Sequence, residues 1–256
     1  MFTVDDRERV RDRVLEIAVS DERVVAAAIV GSLADGAGDQ WSDLDLTFGI
    51  AEGVRLPQVM DDFSRLLADE FDAVQLLDLT QRGTTYRVFL LPRLLQVDLS
   101  FATAADFRQV SPHFKIVFGA YKVDYAPPPS ASDLFGWGVL WARNAHVCVE
   151  RREWWEAEYD VSALRDIALT LACLRHGLPP GYGRSFDQLP PDVLAAAEDA
   201  LVRSLDRDEL LRALAAAVGA LLREANDVRE LATKVEPQLR ELIRISGRTT
   251  AGAGGL

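Results

Sequence analysis

Sulfur is sparse in this chain: two cysteines and two methionines among 256 residues. Cys148 and Cys173 both sit in apolar, helical-looking sequence. That excludes a disulfide framework and points to reduced, buried thiols in a cytoplasmic protein. Histidine is equally scarce, and His113, His146 and His176 share no ligand spacing, which argues against zinc. No apolar run approaches the roughly 20 residues needed to cross a bilayer. The amino-terminal stretch MFTVDDRERVRD has no apolar segment of the kind a secretory signal needs. Positive charge is short, with 28 Lys and Arg against 40 Asp and Glu and a net charge of −12. Neutralising nucleic-acid phosphates takes clustered cations, so the balance argues against such a partner. It serves solubility first, and it is compatible with a cationic small molecule. No Gly-x-Ser-x-Gly, Walker or Rossmann fingerprint occurs, and no internal repeat.

What is present divides the chain in two. Val10, Val14 and Ile17 recur at helical spacing within 5–19, and Ser20-Asp21 breaks the pattern. Short apolar runs follow at 24–30, 43–50, 72–79, 84–91 and 94–101, with a helical interval at 56–70 and one further edge strand at 114–118. This is an α+β pattern with a mixed sheet. The proline-rich stretch APPPSASD, 126–133, reads as a linker, since consecutive prolines continue neither a helix nor a central strand. Beyond it the alternation stops, and helical patterns fill 132–149, 160–176, 191–204, 206–226 and 228–245. Gly177 followed by Pro179-Pro180 ends the second of these, Asp160 is placed to cap it near Val161, and Asp206 with Glu209 reads as a capping pair. The expected division is an α/β domain over 1–130, an all-helical bundle over 131–246, and a tail, 247–256, too polar and glycine-rich to pack and expected to be disordered.

The chemistry gathers in GSLADGAGDQWSDLDL, residues 31–46, directly after the apolar run that ends at Val30. A strand that ends in Gly31-Ser32 presents backbone N–H groups and a hydroxyl, a cradle for phosphate oxygens. Glycine also permits a close backbone approach. Asp43 and Asp45, two residues apart on a strand, point to one face. Two carboxylates side by side repel unless a cation lies between them, and hard divalent ions take carboxylate and phosphate oxygens together. In LLQVDLSF, alternation puts Gln96, Asp98 and Ser100 on one face against Val97, Leu99 and Phe101. A carboxylate in such a strand is costly unless paired, solvated or metal-bound.

Gly31-Ser32, then Asp43-Leu44-Asp45-Leu46, then a later strand aspartate at 98 resemble the nucleotidyltransferase superfamily that shares the DNA polymerase β-like palm. The helical half looks like that of small-molecule adenylyltransferases of the aminoglycoside and lincosamide kinds. The resemblance implies a catalytic palm domain over 1–130 and a substrate-binding helical domain over 131–246. It also implies two Mg²⁺ ions and a nucleoside triphosphate, ATP, as co-substrate. Asp43 and Asp45 would hold the ion bridging the triphosphate. Asp98 would complete the second metal site or take the acceptor's proton, and Gly31 and Ser32 would hold the β- and γ-phosphates. The implied reaction moves AMP onto a hydroxyl of a small molecule, an antibiotic among the candidates, and releases pyrophosphate.

In the second half, RREWWEAEYDVSALRD concentrates aromatic and acidic residues, of which Trp154, Glu158 and Asp160 are the candidates to contact a cationic, sugar-like acceptor. The competing reading of each is a core tryptophan and a solvated acidic face. Two other functions stay open: a binding module, nucleotide-binding or antitoxin-like, that keeps the palm without turnover, and nucleotidyl transfer to a protein or an RNA end.

Overall fold

The computed structural model describes residues 1–248, with side chains through Arg244. The expectation for the tail therefore lies, beyond Arg248, outside the described residues. The chain divides into two compact units, residues 1–126 and 127 onward, a boundary inside the proline-rich stretch.

The first unit opens with helix α1, Val4–Ser20. Thr3 and Asp6 close a reciprocal capping box: the Asp6 N–H donates to the Thr3 hydroxyl at 3.1 Å and the Thr3 N–H to the Asp6 carboxylate at 2.8 Å. Strands β1 (Val24–Val30) and β2 (Leu44–Ile50) follow, then helix α2 (Leu56–Phe71) and strands β3 (Val74–Gln81), β4 (Thr84–Leu91) and β5 (Leu95–Thr103). Two-residue β6 (Arg108–Gln109) pairs with β8 (Lys122–Val123), and β7 (Phe114–Phe118) lies between them in sequence. The main sheet has six strands in the order β3-β4-β5-β2-β1-β7, so β7 does stand at an edge. Only β2 and β5 run parallel within it; the other pairs are antiparallel. The mixed sheet expected from the sequence is present.

Alternation along each strand sorts the side chains. Leu44, Leu46, Phe48, Val97, Leu99, Phe101 and Phe89 are buried with α1 and α2 residues in one core. Phe48, Phe63 and Phe101 meet there with ring centroids 5.1 to 5.5 Å apart. The opposite face is covered over β1 and β2 by Phe107, which packs with Ala26, Ala28, Phe114 and Ile116.

The second unit is helical: α3 (Ala131–Arg151), α4 (Trp154–Arg175), α5 (Pro191–Glu198), α6 (Arg207–Arg223) and α7 (Arg229–Arg248). Among its described residues there is no strand. Phe135, Leu164, Leu214 and Leu221 anchor its core. Gly177, at φ +67, ends α4, and the Leu178 N–H donates back to the Cys173 carbonyl at 2.9 Å. Both cysteines are free and buried. No helix among the described residues is long and apolar enough to cross a membrane.

Three local expectations fail. Helix α4 begins at Trp154, so Asp160 lies within it and caps nothing. Helix α5 ends at Glu198, short of the pattern over 191–204. Asp206 stands at the start of α6 but its side chain makes no capping bond. Glu209 is held instead by Arg212, at 2.7 Å, and by the Arg203 N–H at 2.9 Å, a stronger claim on a carboxylate than a neutral cap.

Candidate active site

The parallel pairing of β2 with β5 sets Asp45 directly beside Asp98. Asp43 precedes β2 by one residue. One carboxylate oxygen from each of Asp43, Asp45 and Asp98 lies within 4.8 Å of the other two, and all three residues are half-buried. Strand register thus brings together Asp45 and Asp98, from separate sequence segments, and the loop before β2 adds Asp43. Among the described residues no lysine or arginine forms an ion pair with Asp43 or Asp98. The Gln96 amide donates to both oxygens of Asp98, at 3.1 and 3.2 Å. Burial, and more weakly the charge of Asp43, push the Asp98 carboxyl above its ordinary range, while the Gln96 bond opposes them. Three converging hard oxygen donors on a half-buried sheet surface fit a hard divalent ion.

The Gly31-Ser32 turn is built against this cluster. Gly31 has φ +70 and opens a short 3-10 turn, Gly31–Asp35. A Cβ at this position would overlap the Asp45 carboxylate oxygen, so both backbone and space demand glycine. Its N–H is already engaged, donating to the His113 carbonyl at 3.2 Å. Gly31 therefore contributes close approach rather than a free donor. Ser32 is exposed, and its hydroxyl makes no hydrogen bond among the described residues. His113 also pairs with Asp35 across the same turn.

The loop that delivers Asp43 is held from below by a residue the sequence reading missed. Arg7 is buried, and its guanidinium Nη1 donates to the carbonyls of Asp39 at 2.6 Å and Ser42 at 2.7 Å. The Asp39 carboxylate accepts from the Trp41 N–H at 2.8 Å and the Ser42 hydroxyl at 3.0 Å, closing the loop on itself. A signal was present: Arg7 precedes Val10 and Val14 at the spacing of the buried stripe, where a charge has no place unless it has a task.

The three candidates in the helical unit do not share one environment. Trp154 packs against Cys148, Val149, Ala157 and Leu210. Glu158 accepts from the Ser162 hydroxyl at 2.8 Å. Asp160 is buried at 3% exposure, with the Cys148 thiol donating to it at 3.7 Å. Burial holds its carboxyl above the ordinary range. The exposed aromatic surface lies elsewhere: Trp137 stacks on Trp141 at 6.1 Å, and Tyr159 meets Trp141 edge-on at 6.0 Å.

No family model matches the chain, and no curated protein matches it. Among solved structures, an aminoglycoside 6-adenyltransferase from Bacillus subtilis aligns over 92% of this chain and 98% of that one, at 11% identity and a TM-score of 0.36. So loose a likeness carries no weight for the site, which stands on its own geometry.

Proposed function

We propose that the protein is an Mg²⁺-dependent nucleotidyltransferase that moves a nucleoside monophosphate, AMP from ATP, onto a hydroxyl of a small molecule. The observation that carries this reading is the convergence of Asp43, Asp45 and Asp98 within 4.8 Å beside a glycine that admits no side chain. Bound Mg²⁺ would supply Lewis-acid charge at the phosphoryl oxygens, and two ions would do so at both the entering and the leaving oxygen. Asp43 and Asp45 would hold the nucleotide's ion. Ser32 offers its exposed hydroxyl to the triphosphate, and Gly31 lets the phosphates approach the backbone. Asp98, beside Asp45 at the end of the cluster, receives the proton of the acceptor hydroxyl. The acceptor oxygen bonds to the α-phosphorus as the bond from that phosphorus to the bridging oxygen breaks. The bridging electron pair leaves with pyrophosphate.

Asp43→Asn and Asp45→Asn, assayed for Mg²⁺-dependent pyrophosphate release against a panel of hydroxylated acceptors, test the reading. Turnover should fall by at least about 10³-fold, a loss on the scale of removing preorganised charge stabilisation. The fold should survive, because each change also relieves carboxylate repulsion. Near wild-type rates in either variant would refute the site. The engaged N–H of Gly31 favours a second reading, a nucleotide-binding module without turnover. Tight Mg²⁺-nucleotide binding with no pyrophosphate from any acceptor would select it.

A further inference from the structure

Strand register carries the acid cluster onto a surface that nothing described so far uses. Asp98 is paired across the sheet with Val88 of β4, and Val88 with Leu77 of β3. The row on one side runs Gln96, Leu90, Val74; the row on the other runs Ser100, Tyr86, Leu79. Residues directly opposite one another share a face, so these side chains lie on the same side of the sheet as the three carboxylates. From β5 to the edge, Asp98 is the only charge in the three rows. The charged residues of the same strands go to the other face, where Arg87 donates to Asp78 at 2.8 Å and to Asp61 at 3.0 Å.

This floor is open. Val74 is 61%, Leu77 45% and Leu79 58% exposed, on a strand with no lysine or proline to guard its edge. Aliphatic side chains so exposed and contiguous mark a contact surface. Strands lie about 4.8 Å apart, so the floor extends about 10 Å outward from the β5 carboxylate, the length of a small organic molecule.

We infer that Val88, Leu90, Tyr86, Leu77 and Leu79 seat the acceptor, and that the acceptor is a hydroxylated molecule with an uncharged apolar body rather than a polycation. The inference rests on the nucleotidyl-transfer reading and narrows its substrate class. The apolar body lies over β4 and β3, and the hydroxyl reaches Asp98, which takes its proton as the oxygen bonds to the α-phosphorus and pyrophosphate departs. A polycation would bring its ammonium groups over three rows that carry no carboxylate beyond β5.

The test uses methyl, butyl and hexyl β-D-glucosides and one aminoglycoside, with the full chain, Mg²⁺ and a non-hydrolysable ATP analogue. Binding is read by saturation-transfer NMR and turnover with ATP by pyrophosphate release. Affinity should rise about two- to fourfold per added methylene, the range for partial to full burial of each group. Leu77→Asp and Leu79→Asp, both at exposed positions, should flatten that series to within twofold and leave Mg²⁺-nucleotide affinity unchanged. A flat series in the wild type, a slope that survives both substitutions, or preference for the aminoglycoside would overturn the inference. So would a wild-type dimer in sedimentation that Leu77→Asp dissolves, because a second copy would then cover the floor. Retained glucoside binding without pyrophosphate from any acceptor would instead sink the transfer reading, and with it the assignment of the floor to an acceptor.

Discussion

Replacing Arg7 by methionine separates a site held by its supports from one held by its ligands alone. The side chain keeps its length and apolar stem but loses both bonds to the loop, to the Asp39 carbonyl at 2.6 Å and the Ser42 carbonyl at 2.7 Å. Hydrogen bonds from a charged donor are worth about 1.5–3 kcal/mol each. Against that loss, Nε of Arg7 is buried with no partner, and removing an unsatisfied buried donor returns about 1–3 kcal/mol. The freed carbonyls belong to a loop that water can reach. The net destabilisation is then about 2–3 kcal/mol, a shift of roughly 5–15 °C for a unit of this size. The larger effect falls on Asp43, one residue beyond Ser42. Once the loop is free to shift by about 1 Å, turnover should drop about 10²-fold. The Mg²⁺ concentration for half-maximal nucleotide binding should rise as well. Arg7→Lys, which can reach one carbonyl, should fall between. Thermal unfolding of the apo protein and Mg²⁺ titration of nucleotide binding supply both readouts. An Arg7→Met protein with unchanged melting and unchanged Mg²⁺ dependence would show that the loop holds Asp43 without help.

Gly31→Ala should cost about 1–3 kcal/mol in melting experiments, because an alanine there is strained at φ +70 and meets the Asp45 carboxylate. It should also weaken Mg²⁺ binding, and normal affinity in folded protein would remove Gly31 from the site. Asp98→Asn should leave Mg²⁺-nucleotide affinity within a few-fold and cut single-turnover rates by roughly 10²-fold or more, the scale of a lost general base; unchanged turnover would exclude Asp98 from proton transfer. The Asp78 carboxyl is held below its ordinary value of 3.8 chiefly by its bonds to Arg87. Its folded-state value is depressed, so its contribution is complete above 3.8 and is lost as pH falls through the folded value. The melting advantage of wild type over Asp78→Asn should accordingly be constant from neutral pH to about 5 and shrink below 4, and an advantage undiminished down to about pH 2 would mean packing, not charge, explains it.

Most strands were legible because each carries its own evidence. The run 84–91 and the segment 114–118 match β4 and β7 to the residue, since alternation and flanking turn residues are local properties. Asp43, Asp45 and Asp98 could be singled out for a related reason: a carboxylate in an apolar strand contradicts its neighbours. Their meeting could not be read from the residues themselves, because it depends on β5 lying parallel to β2. The apolar face of β3 and β4 was hidden for the same reason, as a row exists only once three strands are in register. Helix α4 begins earlier than expected because Asp160 read as its cap, although the residues before it, from Trp154 on, are tolerable helix formers. Arg7 escaped notice because its partners lie more than 30 positions away, a separation of 32 residues for Asp39 and 35 for Ser42.

The parallel pairing of β2 with β5 also bears on how the molecule comes into being. Asp45 and Asp98 are neighbours in space but about 50 residues apart along the chain. Closing a loop of that length demands entropy before any contact repays it. The intervening α2 and the β3–β4 hairpin can form from local contacts, and they shorten the effective loop. The acidic cluster is consequently among the last features to exist on the way to the native state. A nascent chain released before residue 98 has no such cluster to present, whereas its hairpin, which ends at Leu91, is already complete. Affinity for a divalent ion would therefore appear only with the finished sheet, as a late marker of folding rather than a nucleus for it.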